Sequence, residues 1–262
     1  MPVLVHVVAD YGLGDLAFAE VAQRLTQHLP DAQLMLTPVP AFDTLSAGFC
    51  LAQLALTDGP TDRVVYCNVA PREDENDPRS ANEGERLVAG RTAEGVLVVA
   101  PNSRYTFSFL HSAGTPLYEV QVPESGSQFR SRDVFPQLVA ALVRGEDTAL
   151  GPELTDEAVP PPPERAVAYI DGYGNLKTTW SQPPASSGTR VRVHIGDRSV
   201  EATVTDGTFE VPTGEISFAP GSSGWHTRHG DLSWYELFAR GASAAALLDH
   251  PAAGAKVEVT PL

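Results

Sequence analysis

Sulfur and positive charge are both scarce in this chain. Its 262 residues hold 2 cysteines and 2 methionines, and 18 Lys and Arg stand against 33 Asp and Glu. Two cysteines cannot build a disulfide framework. Each of them, Cys50 and Cys67, sits inside an apolar run, so buried free thiols in a reducing compartment are expected rather than a bridge or a metal site. The net charge of -15 and the pI near 4.8 argue against nucleic acid or an anionic membrane surface as the main partner. A cationic or zwitterionic small ligand fits such a chain better. No apolar stretch is long enough to span a bilayer. The opening residues MPVLVHVVAD lack a basic segment and reach Asp10 too early for a secretion signal. The expectation is a soluble cytoplasmic protein with neither a nucleic-acid nor a membrane partner.

What is abundant is proline, and four prolines stand together at Pro160 to Pro163. Such a run cannot continue a helix or donate to a sheet, so it reads as a stiff connector. The predicted organisation is an N-terminal domain over residues 1–159, a Pro-rich linker over 160–165 and a C-terminal domain over 166–262. In the first domain Val3 to Ala9 is a buried-strand signal that ends in the glycine loop Asp10 to Asp15. Ala17 to Leu29 carries helical spacing, and the strand and helix signals repeat at Ala32 to Pro38, Asp43 to Leu56 and Arg63 to Val69. This alternation predicts an α/β fold with a mostly parallel sheet sandwiched by helices. In such sheets ligands gather beyond the carboxyl ends of the strands, here at Asp10 to Asp15 and from Asn68 onwards. Gly12–Leu13–Gly14 matches neither a dinucleotide fingerprint nor a P-loop.

Further on, residues 70–86 form a polar loop dense in both charges, and Arg86 to Gly90 with Val96 to Ala100 reads as a β-hairpin. Leu117 to Val122 is a strand. Phe129 to Asp133 opens a helix that runs to a glycine stop at Gly145. Ser131 serves there either as its N-cap or as a ligand contact, and Pro136 suits the first turn.

After the prolines, Ala166 to Ile170 and Leu176 to Trp180 flank the turn Asp171–Gly172–Tyr173–Gly174–Asn175, a strand-turn-strand signal. Asp171 and Asn175 bring a carboxylate and an amide to that turn, either to serve it or to meet a polar ligand. Short strand signals and one short helix complete a small C-terminal antiparallel β-barrel or sandwich. Phe209 and Trp225 lie beside glycine-rich turns, where an aromatic either covers the core or stacks on a ligand.

Four segments, Ala9 to Asp15, Val99 to Asn102, Phe129 to Phe135 and Tyr169 to Leu176, stand in the order of the signature segments of one family. Together they resemble the S-adenosylmethionine hydroxide adenosyltransferase family, which also contains the fluorinase and chlorinase. The resemblance implies an N-terminal α/β domain, a C-terminal β-barrel domain and a homotrimer with the ligand between subunits. It also implies nucleophilic displacement at C5′ of the ribose with methionine leaving. No cofactor is implied, since S-adenosylmethionine is itself the substrate or ligand. Carried over by position, Asp10 would accept the ribose hydroxyls, Asp171 would hold the methionine ammonium group, and Asn175 would read the adenine edge. Phe42 falls where halogenating members place an aromatic beside the ribose, Phe209 falls near their stacking aromatic, and Ser222–Ser223 falls in the frame that grips the methionine carboxylate.

The chain also departs from the family pattern. Where hydroxide users carry an Asp, an Arg and a His thought to position and activate water, this chain offers Asn68, Arg86 as the candidate for the second place, and Arg130. Neither Asn68 nor Arg130 acts as a base near neutral pH. A proton acceptor is sought instead in Glu83–Gly84–Glu85, and a carboxylate ligand in Arg228 or Arg240. Ser131 falls where the fluorinase carries a halide-contacting serine. The expected activity is hydrolysis of S-adenosylmethionine to adenosine and L-methionine, with water as first nucleophile. The alternatives are transfer to a halide or other small anion, and a non-catalytic binding protein for S-adenosylmethionine or adenosine.

Overall fold

A computed structural model describes residues 2–71, 84–123, 127–227 and 230–262. The chain separates into two compact units, Met1–Pro161 and Pro162–Leu262. In the first unit the elements run β1 (Leu4–Ala9), α1 (Leu16–His28), β2 (Gln33–Pro38), α2 (Thr44–Leu56), β3 (Val64–Asn68), β4 (Leu87–Arg91) and β5 (Leu97–Pro101). They continue with α3 (Ser108–Ser112), β6 (Leu117–Val120), α4 (Arg130–Asp133), α5 (Phe135–Val143) and β7 (Leu150–Glu153). The sheet order is β2-β1-β3-β5-β4-β6-β7.

The core of this unit follows from two periodicities. Val5, Val7 and Ala9 alternate along β1 toward one face, and Phe18, Val21 and Leu25 recur along α1 at helical spacing. Together with Tyr66, Val99, Phe135 and Val139 they form one buried cluster. Asp15 caps α1, its carboxylate accepting from Ala17 N at 2.7 Å, and Asp43 caps α2 through Ser46 N at 2.9 Å. α2 is buried on nearly every side and lies against β1, β3 and β5.

The expectation of a mostly parallel sheet sandwiched by helices does not hold. β1 pairs in parallel with β2 and β3, and β3 with β5, but β4, β6 and β7 join through antiparallel pairings. Helix is sparse, at 23% of the chain against 34% strand. The cause is the β4–β5 hairpin, turned at Gly95 with φ +87°. Because β4 folds back on β5, it presents an antiparallel edge, and β6 and β7 extend that edge. The helix expected from Phe129 is broken at Val134 into α4 and α5, with Pro136 in the first turn of α5.

The second unit carries β8 (Val167–Ile170), β9 (Leu176–Thr178), β10 (Arg190–Ile195), β11 (Arg198–Val204), β12 (Ile216–Thr227), β13 (Gly230–Ala239), α6 (Ala244–Leu247) and β14 (Val257–Pro261). Its sheet runs β14-β10-β11-β12-β13-β9-β8. All named pairings are antiparallel except β11 with β12. The edge strands β8 and β14 are linked by the isolated bridge of Ala166 with Lys256 and a few neighbouring backbone hydrogen bonds, not by a continuous ladder, and the expected antiparallel barrel is corrected to a half-barrel with one parallel step. Val167, Leu176, Val193, Phe218 and Leu237 fill its interior. Among the described residues no helix is long and apolar enough to cross a membrane. Both cysteines are free and buried.

Gly48 shows how tightly α2 is seated. A Cβ there would fall 2.3 Å from the Tyr105 carbonyl oxygen and 2.9 Å from that of Thr106, both backbone atoms that cannot swing aside. Gly48→Ala is expected to destabilise the protein by about 1–3 kcal/mol through overpacking. Urea unfolding with an unchanged midpoint would contradict this account of α2.

Candidate functional site

Within the first unit, three segments far apart in sequence meet. β1 delivers Asp10 and Tyr11, β3 delivers Tyr66 and Asn68, and α4 delivers Ser131. The Tyr11 hydroxyl and Ser131 Oγ lie 2.8 Å apart, the Tyr66 hydroxyl donates to the Ser131 carbonyl at 3.0 Å, and the Asn68 side chain also hydrogen-bonds Tyr11. Ser131 is therefore not a helix cap. It lies inside α4, buried, with its hydroxyl and its carbonyl each engaged by a tyrosine. Burial pushes the Tyr11 phenol well above its ordinary range, with the Ser131 hydrogen bond only partly opposing, and burial likewise raises Tyr66 and the Cys67 thiol. The cluster thus offers neutral donors. Two hydroxyls that share one hydrogen bond keep one hydroxyl hydrogen for a third partner.

Asp10 sits at the end of β1 and accepts from Phe42 N through Oδ2 at 3.0 Å. Phe42 has φ +63°, the left-handed region that bulky side chains rarely enter, and the residue is 64% exposed. Leu13 and Leu16 are exposed in the loop and helix start that follow Asp10.

The other residues of the expected water-handling set go elsewhere. Arg86 is solvent-exposed and pairs with Glu119 on β6. The Arg130 guanidinium lies over the Phe135 ring at 5.2 Å and beside Gly84. Arg132 grips Asp133 with Nε and Nη2 at 2.7 and 2.8 Å, reaches Glu20 at 3.1 Å, and holds the Asp133 carboxyl down to about 2. Of the two arginines flanking Ser131, Arg132 therefore has its charge answered by carboxylates. Glu85 is buried, while Glu83 and Arg228 lie outside the described residues. Asn102, from the segment after β5, donates to the Ala158 carbonyl at 3.1 Å, and its Oδ1 is buried without a partner among the described residues.

Within the second unit the turn between β8 and β9 is organised by its own acid. Asp171 Oδ1 accepts from Tyr173 N at 2.9 Å and Asn175 N at 3.0 Å, and Oδ2 accepts from Asn175 Nδ2 at 3.0 Å. Gly174 takes φ +81°, where Ser243 Oγ leaves no room for a Cβ. Asp171 and Asn175 are brought together, and Tyr173 projects from the same turn, 84% exposed. The turn signal Gly-Tyr-Gly made this aromatic findable, although sequence reading passed over it.

A bulge in β12 between Pro220 and Gly224 carries the two serines. Ser222 is exposed, whereas Ser223 is buried and gives both its backbone N, at 3.2 Å, and its hydroxyl to Glu236. Phe209 is also exposed, under Arg240 at 5.7 Å, and Arg240 is held by the Val211 carbonyl at 2.8 Å. Trp225 is core instead, packed edge-on against Trp234.

Two solved structures share this fold. An uncharacterised conserved protein from Thermotoga maritima superposes with a TM-score of 0.75 over 98% of this chain and all of its own, at 19% identity. A conserved hypothetical protein from Thermus thermophilus gives 0.67 over the full length of both chains, at 25% identity. No protein-family model matches the chain, and no curated protein matches it. The likeness shows the fold alone.

The raised phenols carry a prediction for alkaline pH. In the unfolded chain Tyr11 and Tyr66 ionise near the ordinary value of about 10, whereas the folded protein keeps their protons. The unfolded state then binds fewer protons, so stability is full below about pH 10 and falls as pH rises beyond it. Urea midpoints measured across that range are expected to drop more steeply for the wild type than for a Tyr11→Phe variant; parallel profiles would overturn the assignment.

Proposed function

We propose that the protein binds S-adenosylmethionine and catalyses displacement at its C5′ carbon, most simply hydrolysis to adenosine and L-methionine. The observation that carries this reading is the meeting of Asp10, Tyr11, Asn68 and Ser131, drawn from separated segments, at the carboxyl ends of β1 and β3. In this reading Asp10 takes the ribose hydroxyls and exposed Phe42 covers the sugar. Asp171 takes the methionine ammonium group, Asn175 and Tyr173 meet the adenine, and exposed Ser222 meets the carboxylate. Phe209 is a further exposed face for stacking.

The chemistry asks little of the protein. The sulfonium leaves as a neutral thioether, taking the C5′–S electron pair, so no general acid is needed. The attacking oxygen is oriented by the Tyr11–Ser131 hydroxyls and the Asn68 amide, and it sheds its proton as the C5′–O bond forms. Glu85 is the candidate acceptor among the described residues. Arg86, tied to Glu119, is left with a structural role. The paired state of Arg132 favours water over a halide. The assembly is proposed as a homotrimer acting in the cytoplasm.

Calorimetric titration with S-adenosylmethionine and with adenosine, followed by chromatography of a long incubation, tests the reading. Binding is expected, with adenosine formed at a rate independent of added halide, and Asp171→Asn is expected to weaken S-adenosylmethionine at least about tenfold. Binding without turnover would make the protein a sensor or reservoir, and neither heat nor thermal shift at millimolar ligand would end the proposal. Sedimentation is expected to give three times the 27.9 kDa chain mass.

A further inference from the structure

Three charged side chains of the second unit lie close together, and only one of them, Asp171, has a part in the proposed ligand contacts. Lys177 on β9 stands directly across from Glu236 on β13. Its Nζ lies 3.0 and 2.9 Å from the two Glu236 carboxylate oxygens and 3.9 Å from Asp171 Oδ2. The side chains are 12% exposed for Lys177, 0% for Glu236 and 22% for Asp171. One ammonium therefore sits between two carboxylates, hydrogen-bonding the deeper one and holding the other at longer, ion-pair distance.

The Glu236 carboxylate is held on its other side by the β12 bulge. Ser223 donates to it twice, and Gly221 passes so close that a Cβ there would fall 1.9 Å from Oε1. A fully buried carboxylate with this many donors is stable only while its countercharge stays in place. That fixes the Lys177 ammonium at Glu236. The more exposed Asp171 takes its hydrogen bonds from uncharged amides of its own turn, and the ammonium stays 3.9 Å away from it.

We infer that Glu236 is a charge sink: by holding the Lys177 ammonium off Asp171, it makes the 171–175 turn selective for a cationic ligand over its neutral counterpart. The ligand part of this inference rests on the reading that Asp171 receives an ammonium group. Glu236 and Lys177 are positioning residues here, acting through Asp171. If Glu236 loses its charge, the carboxylate next to the ammonium is Asp171, and a contraction of about 1 Å brings the pair to hydrogen-bond distance. Asp171 would then be neutralised from within the protein.

The test uses the full chain and two probes, S-adenosylmethionine, which is cationic, and adenosine, which is neutral. In Glu236→Gln, a crystal structure is expected to show Lys177 Nζ bonded to Asp171, and S-adenosylmethionine affinity is expected to fall about tenfold while adenosine stays within about twofold. The double variant Lys177→Met, Glu236→Gln removes the cation and is expected to restore the preference for S-adenosylmethionine. Lys177→Arg, which can still pair with Glu236, is expected to keep it.

An Nζ that stays away from Asp171, or an equal loss of both probes, overturns the inference. So does a double variant that folds, by its thermal transition, and has lost the preference; that comparison serves if Glu236→Gln alone does not fold. Should the wild type bind neither probe while Nζ moves onto Asp171 in Glu236→Gln, the charge sink stands and the ligand reading falls.

Discussion

Parallel pairing of β1 with its two neighbours is the constraint on which the first unit turns. Ala9 stands in register with Pro38 on one side and Asn68 on the other, so three strands end at one level. The residues that follow inherit that alignment. Asp10, the 40–43 turn that bonds it and Asn68 share an edge because the ladder leaves them nowhere else to go. α4 completes the group through the Tyr66 and Tyr11 hydroxyls, one reaching Ser131 from β3 and the other from just past the end of β1, where the register is already fixed.

Much of this arrangement was legible in the sequence, and the parts that were not have physical reasons. Strand and helix positions followed from periodicity: β1, α1, α2, β3 and, in the second unit, β8 and β9 stand within a few residues of where the pattern puts them. Sheet direction did not follow, because the hairpin at 87–101 was read as a local feature, and its consequence for every strand beyond it depends on long-range pairing. The half-barrel was missed for a similar reason, since closure is decided by how far edge strands approach and not by their number. At the site, the residue types of the 171–175 turn and of the loop after β1 announced themselves. Tyr11 did not: an aromatic after a strand reads as core, and only the geometry shows its hydroxyl against Ser131. Nothing in the sequence around Arg132 shows that Glu20, far away in the chain, joins Asp133 in answering its charge. Lys177 and Glu236 carry no local signature, because their meaning is the cross-strand register that sets them opposite each other.

Two buried polar clusters, one in each unit, are held differently. In the first unit Tyr11, Tyr66 and Ser131 are joined by their hydroxyls, without charge, and the two phenols stay protonated over the physiological range. In the second, a full ion pair is buried, and its desolvation is offset by backbone and hydroxyl donors converging on the glutamate. A neutral cluster tolerates small displacements, whereas a buried ion pair demands that its surroundings stay in place. The β12 bulge, with a glycine packed on the carboxylate and a serine bonded to it, is the form that demand takes in the backbone.

The bond from Phe42 to Asp10 has a further consequence. Phe42 occupies a backbone conformation that costs a bulky residue on the order of 1–3 kcal/mol, and the carboxylate that accepts its N–H helps to hold it there. One oxygen of Asp10 is thereby committed before any ligand arrives. A newcomer that takes only the other oxygen leaves the turn untouched, while one that claims both strips the amide of its acceptor and frees the turn to relax. Occupancy of Asp10 and the conformation of residues 40–43 are thus two sides of one thermodynamic linkage, in which the number of hydrogen bonds a ligand asks of a single carboxylate decides whether the neighbouring loop moves.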